Sequence, residues 1–201
     1  MDFLNEVDEG MKGRYKGLAT TITRLSEFIN GIQKKTYYAV GAQPKSGKTS
    51  LVDELFVLGP YIKNPKAKVK WLYFSPEVDL LEKVAKYVAF FMDHKYNIYC
   101  DSNYILSRGE NKLKPEHREL VAEIYENEIT DLFGNETIPG LIDFTEDRIN
   151  PEGIRKFILK HAKEHGKFDT DAYYKDGKKF ERITSYTEDD PDLYTIIIVD
   201  H

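Results

Sequence analysis

Gly41-Ala42-Gln43-Pro44-Lys45-Ser46-Gly47-Lys48-Thr49 has the form G-x-x-x-x-G-K-[ST]. Small residues at this spacing let successive backbone N–H groups curl around a phosphate, and a helix that follows adds its positive N-terminal dipole. The flanks supply that context. Thr36-Tyr37-Tyr38-Ala39-Val40 is β-branched and aromatic, which predicts a buried strand before the loop. Ser50 to Val57 places Leu51, Val52, Leu55 and Phe56 at helical spacing, which predicts a helix ending near Gly59-Pro60. In such a strand–loop–helix unit the lysine, Lys48, reaches the β- and γ-phosphates and the Thr49 hydroxyl ligates Mg2+. The expected nucleotide contacts are therefore Pro44, Lys45, Ser46, Gly47, Lys48, Thr49 and Ser50, with ATP and Mg2+ as cofactors.

The rest of the chain alternates strands and helices. Val69 to Ser75 predicts a second strand, followed by a helix from about 79 to 93 with Leu80, Leu81, Val84, Tyr87, Val88 and Phe91 facing inward. Pro115 to Asp131 predicts a helix with Leu120, Val121, Ile124 and Tyr125 inward, and Leu141 to Phe144 a third strand. Asn150-Pro151-Glu152-Gly153 opens another helix, which Gly166 closes. Tyr194-Thr195-Ile196-Ile197-Ile198-Val199 is apolar throughout and predicts the central strand of a buried parallel sheet. Within 168–192, Tyr173 to Phe180 predicts a β-hairpin turning at Asp176-Gly177, followed by an acidic turn. The pattern gives an α/β fold, a mostly parallel sheet flanked by helices with a β-hairpin insertion.

An apolar strand ending in Asp is the second element that a phosphate loop needs, and Ile196 to Asp200 supplies it. At the strand's carboxyl end the Asp200 carboxylate holds Mg2+ opposite Thr49. Glu77, just past the second strand, lies on the edge where α/β proteins bind ligands and is the leading candidate for the base that activates water. Asp143 is the weaker alternative, because it sits inside its strand.

Composition excludes several classes. With 201 residues, 41% hydrophobic and 31% charged, the chain predicts one soluble domain. A single cysteine, Cys100, forms no internal disulfide and fits a cytoplasmic protein. The acidic start lacks the features of a signal peptide, and no apolar run approaches a membrane span. The net charge of −5 gives no global case for nucleic-acid binding, so any such contact must be local or lie outside this chain. The lysine-rich run from Lys63 to Lys70 reads as a solvated loop. The 14 Tyr and 11 Phe residues read as packing rather than as base-stacking platforms. His94, His117, His161 and His165 show no zinc-ligand spacing. His201, after Asp200, either senses a γ-phosphate or faces solvent.

Phe74-Ser75-Pro76-Glu77 resembles the phenylalanine-serine-x-glutamate stretch of DnaB-type replicative helicases, within the RecA-like P-loop ATPases. The resemblance extends through Thr23-Arg24-Leu25, Asn30-Gly31 and Tyr37 to Thr49. It continues in Ile142-Asp143, in Asn150-Pro151-Glu152-Gly153-Ile154-Arg155 through Glu164-His165-Gly166, and in Ile198-Val199-Asp200-His201. It covers most of 18–166 and 194–201. It implies a RecA-like core with Glu77 and Lys48 as catalytic residues, and ATP hydrolysis driving a homo-oligomeric, hexameric ring along single-stranded DNA. Residues 1–17 then resemble the linker helix that docks on a neighbouring subunit. The alternatives are a RecA-like recombinase, clock-type or packaging ATPase, a small-molecule kinase, or a non-catalytic module that uses the fold for assembly. A kinase lid is usually rich in Arg, whereas Arg148, Arg155 and Arg182 are scattered.

The chain departs from the family in three places. Leu18-Ala19-Thr20-Thr21 stands where a Thr-Gly pair is usual, His201 stands where Tyr is more frequent, and the hairpin has no counterpart. These departures fit a divergent or phage-encoded member. The family continues past its metal-site strand, so residues 18–201 are expected to be a partial ATPase domain, with the DNA-tracking parts elsewhere.

Overall fold

In the computed structural model, which describes residues 3–13, 16–110, 112–147 and 149–200, the sheet is built around β1 (Val69–Phe74). Its sequence is apolar at all but one position, and Trp71, Leu72 and Tyr73 are wholly buried. β2 (Ile142–Thr145) and β5 (Tyr194–Val199) pair with it in parallel, one on each side, with Trp71 opposite both Ile142 and Ile196. β3 (Gly166–Lys175) and β4 (Lys178–Glu188) form a separate antiparallel hairpin. The fold is α/β: a small parallel three-stranded sheet with helices, plus the hairpin.

The helices are α1 (Phe3–Met11), α2 (Thr23–Phe28), α3 (Lys48–Asp53), α4 (Gly59–Lys63), α5 (Leu80–Tyr96), α6 (Ser102–Ile105), α7 (Pro115–Ile124), α8 (Thr130–Phe133) and α9 (Pro151–Glu164). They cover both faces of the sheet. On the Trp71 and Tyr73 face, the Trp71 indole donates to the Phe56 carbonyl (2.7 Å) and Tyr73 reaches Asp53. On the other face, Phe74 meets Phe157 of α9 edge-on at 5.5 Å, and the His161 ring contacts Thr195 Oγ1 at 3.3 Å. Among the described residues no helix is long and apolar enough to cross a membrane.

Several expectations are corrected. Thr36 to Val40 is not a strand of the sheet. It has the alternation of one: Tyr38 packs on Phe56 at 5.3 Å and Val40 lies against the core, while Tyr37 is 91% exposed. Among the described residues its backbone has no ladder partner. β5 is an edge strand rather than the central one, and Ile197 and Val199 on its α9-side face are 42% and 54% exposed. The apolar run reported burial correctly only on the side of Ile198.

The helix after the loop does not stop at Gly59-Pro60. It passes through a π-helical turn, Glu54–Leu58, and continues as α4. Proline lacks the N–H that would serve the carbonyl four residues earlier. That carbonyl, of Phe56, is the one Trp71 occupies. A Cβ on Gly59 would come within 2.6 Å of Glu54 O and 2.9 Å of Thr21 N, so the chain before α2 packs directly on this helix. In α5, Leu80 and Leu81 are exposed, while Lys83 takes a buried position. Tyr125, expected inward, is exposed in a second π-helical turn, Tyr125–Ile129. The hairpin is longer than expected, running from Gly166 directly after α9. Its turn is where the sequence put it: Asp176 and Gly177 have φ of 51° and 73°, as a type I′ turn requires.

Candidate functional site

The three parallel strands end in line. Phe74 is level with Thr145 on one side and Val199 on the other. Asp200 N donates to Phe74 O (3.0 Å) and Ser75 N to Thr145 O (2.9 Å), so Ser75, Glu146 and Asp200 begin a common carboxyl edge. The loop 41–47 arrives at that edge. Gly47 caps α3 with φ 85°, a left-handed conformation that favours glycine, and its carbonyl accepts from Leu51 N at 2.9 Å. Ser46 N and Oγ both donate to Gln43 O, which closes the loop on itself. Nothing lies within 4 Å of a Cβ on Gly41 or Gly47, so open space borders the loop backbone there.

Lys48 Nζ is 3.4 Å from Asp200 Oδ1. The phosphate-loop lysine and the strand-terminal aspartate, far apart in the chain, thus share one locus. Asp200 is buried and Lys48 and Thr49 are half-buried, whereas Pro44, Lys45, Ser46 and Ser50 are exposed. Carrying the β1/β5 register one residue further sets Ser75 beside Asp200 on the same face of the sheet. Ser75 Oγ is fully buried and has no hydrogen-bond partner among the described residues. An orphaned hydroxyl beside a buried carboxylate suits a site completed by bound water or by a hydrated cation. Among the described residues no three His, Cys, Asp or Glu side chains form a metal cluster.

Glu77 lies in the exposed turn between β1 and α5, at the same edge. Asp79 caps α5 by accepting from Glu82 N (2.7 Å), and Glu146 accepts from Leu80 N (2.8 Å). These bonds fix the α5 end of the turn that carries Glu77, and the Ser75 N–H bonded to Thr145 O fixes its strand end. Asp143, the alternative base, is drawn away from the site. It sits opposite Leu72, on the α9 side of the sheet, and pairs with Lys70 at 2.7 Å. His201 and Arg148 lie outside the described residues.

Beneath the site is a polar cluster that sequence reasoning missed. Asp53 of α3 accepts from Lys83 Nζ (2.9 and 3.0 Å), Tyr73 Oη (2.7 Å) and Tyr87 Oη (3.2 Å). All four residues are buried. Burial pushes the Asp53 carboxyl up and the Lys83 ammonium down, and their mutual attraction opposes both shifts. The charge of Asp200 is close enough to act on Tyr73, Lys83 and Tyr87. Two signals were available in the sequence. Asp53 is one helical turn after Thr49, and Lys83 interrupts the apolar stripe of α5. The cluster ties the helix that starts with Lys48 and Thr49 to the strand and helix that flank Glu77.

No protein-family profile, curated protein or solved structure matches this chain.

Proposed function

We propose that the chain is the ATP-binding and ATP-hydrolysing core of a RecA-like, DnaB-type DNA helicase. The observation that carries the reading is the approach of Lys48 to Asp200 at the carboxyl edge of a parallel sheet. A loop of G-x-x-x-x-G-K-T form and a strand-terminal Asp are useful together only if they meet, and here they do. Lys48 and the loop amides would hold the β- and γ-phosphates. Mg2+ would be held by Thr49 and Asp200 and would neutralise charge on the phosphate oxygens.

This chain's residues then have distinct tasks. Lys48, paired with Asp200 in the absence of nucleotide, turns to the γ-phosphate and leaves the carboxylate for the cation. Ser75 Oγ gains the partner it lacks. Glu77, exposed at the mouth of the site, orients the attacking water and accepts its proton. The fixed cluster around Asp53 keeps loop and base in register, so positioning and charge stabilisation supply most of the catalysis. The exposed apolar side of α1, with Phe3, Val7 and Met11, suits docking on a neighbouring copy in a hexameric ring. Single-stranded DNA is the expected track, and the cytoplasm the expected compartment.

ATP turnover measured with and without single-stranded DNA, beside Glu77→Gln, tests this reading. DNA-stimulated turnover reduced about 100-fold or more by Glu77→Gln is expected for a water-activating base. Turnover indifferent to DNA would instead assign a RecA-like ATPase without helicase activity. Phosphoryl transfer only to an added small-molecule acceptor would assign a kinase.

A further inference from the structure

The β3–β4 hairpin stands away from the rest of the molecule. Its base is fixed: Tyr186 Oη donates to His165 O (3.0 Å), Asp189 N donates to the same carbonyl (2.9 Å), and Phe168 packs on Tyr186 at 5.1 Å. A Cβ on Gly166 would come within 2.4 Å of Thr187 O, so the first residue of the arm is held close against the end of β4. Beyond that base, the described residues of the arm from Asp169 to Thr187 are exposed on both faces. A strand of 10 residues reaches about 30 Å at about 3.3 Å per residue. A bare two-stranded hairpin is marginal in water, and large aromatic side chains at its tip need a reason to be there.

The tip is Tyr173-Tyr174-Lys175-Asp176-Gly177-Lys178-Lys179-Phe180, with three lysines against one aspartate. On one face Tyr173 and Phe180 stack at 5.6 Å with their rings 24° apart, each about two-fifths exposed. On the other face Tyr174 is 75% exposed, opposite Lys179. Among the described residues neither Lys178 nor Lys179 enters an ion pair. The chain's net charge of −5 does not reach this tip, because screening at physiological salt acts over about 8 Å, well short of the arm's length. The field at the tip is that of its own lysines.

We propose that the tip of this hairpin is a binding site for single-stranded nucleic acid. Flat aromatic surfaces on both faces of a basic turn give unpaired bases something to stack on and their phosphates something to pair with. A duplex hides its base faces and cannot use such a tip. A protein partner is the poorer match. Below the Tyr173–Phe180 pair Asp171 lies opposite Arg182, and below Tyr174 and Lys179 Ala172 lies opposite Glu181. The tip offers three exposed aromatic side chains, where a standard protein interface takes about 20–30 residues a side. The inference deepens the DNA-motor reading above, on which it rests for the presence of single strands near the molecule.

The test is fluorescence anisotropy of labelled twenty-nucleotide oligo(dT) and oligo(U) titrated with the full chain at several salt concentrations. Tyr174→Ala and Lys178→Gln/Lys179→Gln would be run in parallel, with ATP turnover and thermal unfolding measured on each. Tyr174→Ala should weaken binding about tenfold, the scale of one lost stacked base. Losing two phosphate contacts should flatten the log–log salt slope by about 1.4. Unfolding midpoints and DNA-independent turnover should stay those of the parent. Binding to either oligonucleotide with these effects supports the proposal. Intact turnover with no oligonucleotide binding, or binding that neither variant weakens, overturns it and leaves the motor reading standing. Arm-dependent binding in a chain that lacks turnover would keep the arm and reject the motor. Self-association lost in Tyr174→Ala, without oligonucleotide binding, would assign the arm to a second copy and also overturn the proposal.

Discussion

Lys83 is the residue on which the interior depends most sharply. Its ammonium lies in the core, 2.9 Å from Asp53 and 4.2 Å from the centre of the Tyr73 ring. Removing one partner of such a pair strands the other charge in a medium that cannot solvate it. Lys83→Met should therefore cost about 3–5 kcal/mol of unfolding free energy by urea denaturation. The Asp53→Leu/Lys83→Met double variant should regain most of that loss, because no charge is then left buried. The double variant should still bind nucleotide less well than the parent, since α3 and the Glu77 turn lose their common anchor. A double variant as unstable as Lys83→Met alone would show that the cluster acts through shape rather than charge. Lys83 and Asp53 were invisible as partners in the sequence, since nothing in a charged residue at a helical position says where its mate lies.

At the scale of elements, the structure separates two properties that usually travel together in a strand: side-chain alternation and backbone pairing. Thr36 to Val40 has the first without the second. Its amides should exchange with deuterium far faster than those of β1, whose ladders run on both sides. Protection of the two segments to the same degree would contradict the edge position of β5. The Phe56 carbonyl gives a second handle. Trp71→Phe removes its donor in a buried setting and should cost about 1–3 kcal/mol beyond the change in ring size. The Pro60→Ala background restores an N–H to the helix and should soften the effect.

Sequence patterns carried most of the elements, because β1 and β5 are near-continuous apolar runs and α9 has helical apolar spacing and a capping signal in Asn150, which accepts from Gly153 N at 2.8 Å. They failed where neighbours decide the outcome. Composition cannot distinguish an edge strand from a central one, nor report that an indole will take a carbonyl left free by Pro60. The candidate site was legible in its loop and in Asp200 because both are fixed by local motifs. Ser75, Glu146 and the Asp53 cluster became visible only when the strands were set side by side.

At the scale of the whole molecule, His161 on the α9 face of the sheet links stability to pH. His161 is buried against the sheet and stacked 4.2 Å from His165, with Asp143, Lys70 and Glu164 acting on it. Burial first, and the neighbouring His165 second, hold its ring below the ordinary value of 6.5. The folded state thus favours the neutral ring. Above that ordinary value both states are neutral and the residue adds no pH dependence. As the pH falls through it, the unfolded chain takes up the proton first and stability drops, until the folded pKa is passed. Urea midpoints should fall between about pH 7.5 and about pH 5.5, and His161→Gln should flatten that part of the profile. An unchanged profile in His161→Gln would place the acid sensitivity elsewhere.

The central claim is that Lys48, Thr49 and Asp200 form one Mg2+-nucleotide site. Calorimetric titration of the chain with ATP, in the presence and absence of Mg2+, tests it most directly. The account predicts saturable binding strengthened by Mg2+, abolished in Lys48→Ala, and made insensitive to Mg2+ in Asp200→Asn. Binding that survives Lys48→Ala, or the absence of any binding by a folded chain, would contradict it.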